Sequence, residues 1–189
     1  MFDSDTPFNA LDIGAGYGHM SKLLNNLEYS KVYAIEPRPE CKKELDDIGL
    51  ESVFCKNLSE SKKFIPKKVK LIICISVIDQ VKNKNDFLID LKGIMDSDTI
   101  IYLEVRNTNY IGKLFGLIKS MKSDISRKDY TKLFQKNNLK IIDTKGFSRP
   151  INILKPHLFI KSLISNLFFF VPYKFAHMSC FLLKLNNYK

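Results

Sequence analysis

The sequence is short of the residues that build metal centres and disulfide frameworks. Its four cysteines, Cys41, Cys55, Cys74 and Cys180, stand far apart, without the paired spacing of a zinc site or a redox motif. They read as buried or incidental thiols, and no metal site is expected. The N-terminal run MFDSDTPFN lacks the basic start and apolar core of a signal peptide, so a cytoplasmic protein is expected. No period repeats and no tract is low in complexity, which excludes solenoids and arrays. The late apolar stretch 158–171 stops at Pro172 and Lys174, short of the about 20 apolar residues that span a bilayer.

What is present suffices for a core. Of 189 residues, 45% are apolar, enough to fill a single domain. We expect one domain over 1–189, with its core at 8–147 and an amphipathic segment plus a last strand in 148–189. The formal net charge of +10 would draw the chain toward nucleic acid, anionic lipid or acidic substrates. The lysines are scattered, however, and many fall on helix faces that water would cover anyway. Charge alone selects no partner.

The chain is organised around Leu11-Asp12-Ile13-Gly14-Ala15-Gly16-Tyr17-Gly18. An apolar run, Phe8 to Ile13, ends in three glycines at alternate positions, and Met20, Leu23, Leu24 and Leu27 follow at helical spacing, which predicts strand, tight turn and helix. Glycines there permit positive φ and let a ligand approach the backbone. The helix start adds unpaired N–H groups and a positive dipole end. Taken alone, the pattern fits an ordinary βα turn as well as a ligand loop.

A second strand, Lys31 to Glu36, ends in an acid before Pro37. At that distance from the glycines, a βαβ unit brings the carboxylate to the strand edge beside the first, where it can accept hydrogen bonds from both hydroxyls of a ribose. The turn and the acid together favour the ribose reading over a surface glutamate. A helix with Cys41, Leu45 and Ile48 inward stops at Gly49, and Ser52 to Cys55 predicts a short third strand. Leu71 to Ile78 is a continuous apolar run suited to the centre of a parallel sheet. Asn83 with Asp86 forms a capping box ahead of Phe87, Leu88, Leu91, Ile94 and Met95. Thr99 to Val105 predicts a fifth strand, Ser126 with Asp129 caps another helix, and Lys140 to Thr144 and Met178 to Leu185 predict the sixth and seventh strands. Alternating strands and helices of this kind give a doubly wound α/β sheet.

In this order the elements resemble the class I S-adenosylmethionine-dependent methyltransferases, in particular the small-molecule branch that includes ubiquinone-biosynthesis and sugar or lipid enzymes. The resemblance runs from Phe8 to Leu185 and rests on LDIGAGYG, VYAIEP, LIICISVIDQVKNKNDFLIDL, TIIYLEVRN and ISRKDYTKLFQKNNLKIIDTKGF. It implies a Rossmann-like, mostly parallel seven-stranded sheet with one antiparallel C-terminal strand. It also implies S-adenosyl-L-methionine as cofactor: Asp12, Gly14, Gly16 and Gly18 around its methionine end, Glu36 on its ribose, Asn57 near its adenine, and Ser76 with Val77 where donor and acceptor meet.

Two departures stand out. The family often has a histidine in the stretch matching Asp79-Gln80-Val81, and Gln80 cannot act as a general base. The family also places one or two helices before its first strand, where here only a few residues precede it, so the expected N-terminal helices are short or missing. Candidates for a base are Asp79, Glu104, His157 and His177, each with a plainer structural reading: a loop or cap residue, a strand-end acid, and two histidines of the C-terminal region. His19 reads as a first-turn residue lining the cofactor cleft. The 158–171 segment is a packed or lid-like helix in the plainer reading, and a peripheral membrane contact in the other.

Three functions remain open from sequence. The first is transfer of a methyl group to a small molecule, such as a sugar, a quinone-like or a lipid-linked acceptor. The second is a nucleic-acid methyltransferase, favoured by charge but opposed by Ile75-Ser76-Val77-Ile78, which is unlike the Asp/Asn-Pro-Pro-aromatic motif of amino-directed enzymes. The third is a binding or regulatory protein without turnover. A nicotinamide dehydrogenase fits worst, because its third glycine would fall on His19.

Overall fold

The computed structural model describes residues 8–26, 31–53, 58–65, 69–107, 125–147 and 178–186. Its elements follow one another as β1 (Asn9–Ile13), α1 (His19–Asn26), β2 (Val32–Ile35), a 3-10 turn (Pro39–Cys41) leading into α2 (Lys42–Asp47), β3 (Glu51–Val53), α3 (Leu58–Ser61), β4 (Val69–Ile75), α4 (Lys84–Lys92), β5 (Ile100–Arg106), α5 (Arg127–Lys136), β6 (Leu139–Phe147) and β7 (Met178–Leu185). The strands form one sheet in the order β3-β2-β1-β4-β5-β7-β6. Pairings from β3 to β5 are parallel, whereas β7 runs antiparallel to both β5 and β6.

The central strands are apolar because both of their faces are covered. Leu11, Ile72, Ile101 and Leu103 are fully buried, as are Leu88 and Leu91 of α4. Each such side chain contributes roughly 1.5–3 kcal/mol when removed from water. At the far edge, Phe134 of α5 meets Phe181 of β7 edge-on, with centroids 5.1 Å apart, and stacks on Tyr130 at 5.9 Å. The α5 helix therefore packs on β7, which lies inside the sheet between β5 and β6.

Both predicted caps form. Asn83 Oδ1 accepts the N–H groups of Asn85 and Asp86, and its amide donates to Asp86 Oδ2. Ser126 Oγ accepts the Asp129 N–H, which satisfies a first-turn donor that the helix itself cannot.

Strand limits differ most from expectation at β4 and β6, and β3 runs over Glu51–Val53 rather than Ser52 to Cys55. The apolar run of β4 continues to Ile78, but the strand stops at Ile75, because Ser76 takes a positive φ of 56°. Ile78 is nevertheless fully buried: its hydrophobicity serves a loop packed into the core rather than a strand. β6 is longer than expected, and its pairing with β7 shifts register between Ile141 and Asp143, leaving Ile142 exposed. Among the described residues, no helix is long and apolar enough to cross a membrane.

Candidate functional site

The strand order reverses at β1, which has β2 on one side and β4 on the other. In a parallel sheet the crossovers then leave toward opposite faces, and a crevice opens at the strand ends. A cavity of about 660 Å³ lies there, lined by residues that include Gly14, Glu36, Arg38, Ser76, Val77 and Gln80. Small-molecule sites commonly occupy roughly 300–1,000 Å³.

The three glycines of the turn all have positive φ, 72° at Gly14, 58° at Gly16 and 77° at Gly18, but their surroundings differ. A Cβ at Gly14 would collide with Val77 Cγ2, so the β4–α4 loop can close on the turn only over a glycine. A Cβ at Gly18 would stand 2.6 Å from Ile48 Cδ1 and 2.9 Å from Leu45 Cδ2, so α2 packs directly on the turn. Gly16 meets only the end of a flexible side chain, with Arg38 Nη2 at 3.2 Å. The protein's own packing thus explains two of the glycines, and Gly16 is the one where an incoming group would meet least resistance.

Glu36 stands at the end of β2 with 2% of its surface exposed. Its Oε2 accepts the Gly16 N–H at 2.6 Å. Its Oε1 accepts the Arg38 backbone N–H at 3.0 Å and Arg38 Nε–H at 2.8 Å. Burial favours the neutral acid, but hydrogen bonds from the Arg38 side chain and from the Gly16 and Arg38 amides outweigh it, holding the carboxyl below its ordinary value. Glu36 is a carboxylate on the cavity wall.

Asp12 is equally buried but differently used. Its Oδ2 accepts the Ser21 hydroxyl at 2.6 Å, which pins α1 to β1. Burial raises its pKa, and the Ser21 hydrogen bonds offset this only in part. Asp12, Gly16 and Gly18 are not among the residues lining the cavity; they belong to the strand end and turn beside it.

Ser76 lies on the cavity wall in a conformation rare for a non-glycine residue. Its N–H donates to Glu104 O at 3.0 Å, and its own carbonyl accepts the Gln80 amide at 2.8 Å. Strained positions of this kind persist where the surroundings over-determine them, as at ligand sites.

Of the candidate bases, the two acids fall away from the cavity. Asp79 is 2% exposed; Tyr130 donates its hydroxyl to Oδ1 at 2.6 Å, and the Arg106 N–H donates to Oδ2 at 3.0 Å. It bolts the β4–α4 loop to β5 and α5. Glu104 is buried within the sheet, level with Ile75 of β4 and Cys180 of β7. Neither acid lines the cavity. His19 is exposed on the first turn of α1. Asn57, His157, His177 and the 158–171 segment lie outside the described residues. Among those described, no group of side chains could hold a metal ion.

Sequence reasoning missed Arg38, and it missed that α4 borders the site along its length through Asn83, Asp86 and Asp90. The Asn83–Asp86 capping pattern was visible, but nothing in it says which end of the sheet the helix approaches.

A family model described as a methyltransferase domain matches residues 2–144. Among solved structures, the chain is similar to the plantazolicin methyltransferase BamL in complex with a triazolic desmethylPZN analog and SAH; the TM-score is 0.68 at 14% identity, covering 96% of this chain and 78% of that one. It is similar to a SAM dependent methyltransferase from Archaeoglobus fulgidus, with TM-score 0.66 at 14% identity, covering 94% and 86% of the two chains. A third is the mitomycin 7-O-methyltransferase MmcR, with TM-score 0.63 at 15% identity, covering 97% of this chain and 50% of that one. At such identities the likeness is one of fold. No curated protein sequence matches the chain.

Proposed function

The chain belongs to the methyltransferase-domain family, and from that premise we propose that it moves a methyl group from S-adenosylmethionine to a small-molecule acceptor of the sugar, quinone-like or lipid-linked kind. The observation that carries this reading is the Glu36 carboxylate, buried, ionised and set in a cavity where the strand order reverses. When bound, S-adenosylmethionine supplies a methyl group on a positively charged sulfur that a nucleophile can displace. The residues present fit that donor. Glu36 suits the two hydroxyls of its ribose, Leu58, Ile35 and Val81 give the cavity apolar walls suited to a purine, and Gly14 brings the backbone of the turn to the cavity wall.

The described side chains then act mainly by alignment. Gln80 holds the Ser76 carbonyl and so shapes the wall formed by Ser76 and Val77, but an amide takes no proton. Asp79, committed to Tyr130 and Arg106, keeps that wall in place from behind. Holding two reactants in a productive pose can supply up to roughly 7–11 kcal/mol of a barrier, which suits a displacement whose leaving group is already activated.

A small acceptor agrees with the small-molecule methyltransferases among the structural neighbours and with an Ile75–Ile78 stretch unlike the base-methylating motif. Incubating the protein with methyl-labelled donor and fractionated metabolite, lipid and nucleic-acid extracts tests it. Label should enter a metabolite or lipid fraction; label confined to RNA or DNA would overturn the acceptor class. A lipid-linked acceptor would bring the basic chain to a membrane surface, and co-sedimentation with anionic liposomes at low salt tests that contact for residues 158–171.

A further inference from the structure

Glu36 has less room for a ligand than its charge suggests. A carboxylate has about four acceptor positions on its two oxygens. Three are occupied, by the Gly16 N–H, the Arg38 N–H and Arg38 Nε–H. The two backbone donors are fixed by the turn and by the end of β2. The third belongs to a side chain that is 51% exposed, with its guanidinium carbon 5.9 Å from the Tyr17 ring centroid and Nη2 lying over Gly16. A vicinal diol brings two hydroxyl donors to a carboxylate with one position left.

We propose that Arg38 is a side-chain latch on Glu36, which must release Oε1 before both hydroxyls of a ribose can bind. The inference rests on the reading of Glu36 as the ribose-binding acid and adds an internal competitor to it. Closed, the latch keeps a buried carboxylate paired, avoiding the penalty of an unpartnered charge, and covers the glycine turn. Open, the guanidinium, already half-exposed, moves into water, the diol hydroxyls take over its hydrogen bond to Oε1, and its stem remains beside Tyr17. The latch acts on diols: a ligand with a single hydroxyl fits the fourth position and leaves Arg38 in place.

Calorimetric titration with S-adenosylhomocysteine and with its 2′-deoxyribose analogue, into the wild-type chain and into Arg38→Met, tests the count. Methionine keeps an unbranched stem beside Tyr17 and removes the donor. S-adenosylhomocysteine should bind Arg38→Met about two- to fivefold more tightly than wild type, because no half-exposed guanidinium then has to be displaced from Oε1, while the deoxy analogue binds both chains equally. Unchanged or weaker binding of S-adenosylhomocysteine to Arg38→Met, with the wild type still binding, would overturn the latch, as would an equal gain for both ligands. Absence of binding by the folded wild-type chain would instead overturn the ribose-binding reading itself.

Discussion

The Gly16 amide donates to Glu36 Oε2 at 2.6 Å, joining the glycine turn after β1 to the acid at the end of β2. Two features that the sequence separates by a helix are thus one hydrogen-bonded unit, and the acid is shaped by the turn. Its charge follows from that contact and from Arg38, so its pH dependence has a definite sign. The folded-state pKa is lowered from 4.5, so the stability it contributes is fully present above the ordinary value and is lost as pH falls through the lowered one. Stability and ligand binding attributable to Glu36 should be level around neutral pH and decline only in acid. Chemical denaturation of wild type and Glu36→Gln across that range checks this, since the difference between the two should shrink as the carboxyl is protonated.

The three glycines should not respond alike to alanine. Gly14→Ala and Gly18→Ala add a Cβ against Val77 and against Leu45 and Ile48, so overpacking of about 1–3 kcal/mol joins the roughly 1–2 kcal/mol of an unfavourable φ. Gly16→Ala meets only the end of Arg38 and should cost little beyond the φ contribution. Thermal melting should rank Gly16→Ala as the most stable of the three, and calorimetry should still find its ligand binding impaired.

Asp79 is expected to matter for stability first. Asp79→Ala would delete the buried acceptor to which the Tyr130 hydroxyl and the Arg106 amide donate, at roughly 1–3 kcal/mol for each bond lost. Tyr130→Phe should cost less, and a double-mutant cycle between the two should show coupling of about 0.5–3 kcal/mol. An additive pair would mean that the hydrogen bond contributes nothing.

Asp12 has the opposite pH sign to Glu36. Its folded pKa is raised from 3.8, chiefly by burial, so the folded chain binds the proton more tightly than the unfolded one. Stability falls as pH rises from the ordinary value through the raised one. Ser21→Ala removes the hydroxyl that steadies the charged form, at about 1.5–3 kcal/mol for a bond to an ionised group. Urea unfolding should show that loss at neutral pH and a smaller one in acid, where Asp12 is protonated.

How much was legible follows from the range over which each signal acts. The Asn83 and Ser126 caps, the glycine turn and the β7 limits depend on neighbours within a few residues, and local pattern carries them. The end of β4 was overrun because apolar residues continue through a buried loop, and periodicity does not record where the backbone turns at Ser76. The reason for Gly14 lies at Val77 and that for Gly18 on α2, contacts made only once the sheet has assembled. Asp79 offered a carboxylate in a loop, while its partner Tyr130 sits 51 residues away. Arg38 carried no signal beyond standing two residues after an acid.

The account turns on Glu36 as the group that holds the donor's ribose, and titration calorimetry of S-adenosylhomocysteine into wild type and Glu36→Gln tests it most directly. Exchanging two charge-assisted hydrogen bonds for neutral ones removes about 1 kcal/mol each, tenfold or more in affinity. We predict saturable binding to the wild-type chain, weakened by at least that factor in a folded Glu36→Gln. A folded wild-type chain that binds no S-adenosylhomocysteine, or a variant that binds it equally well, would contradict the account.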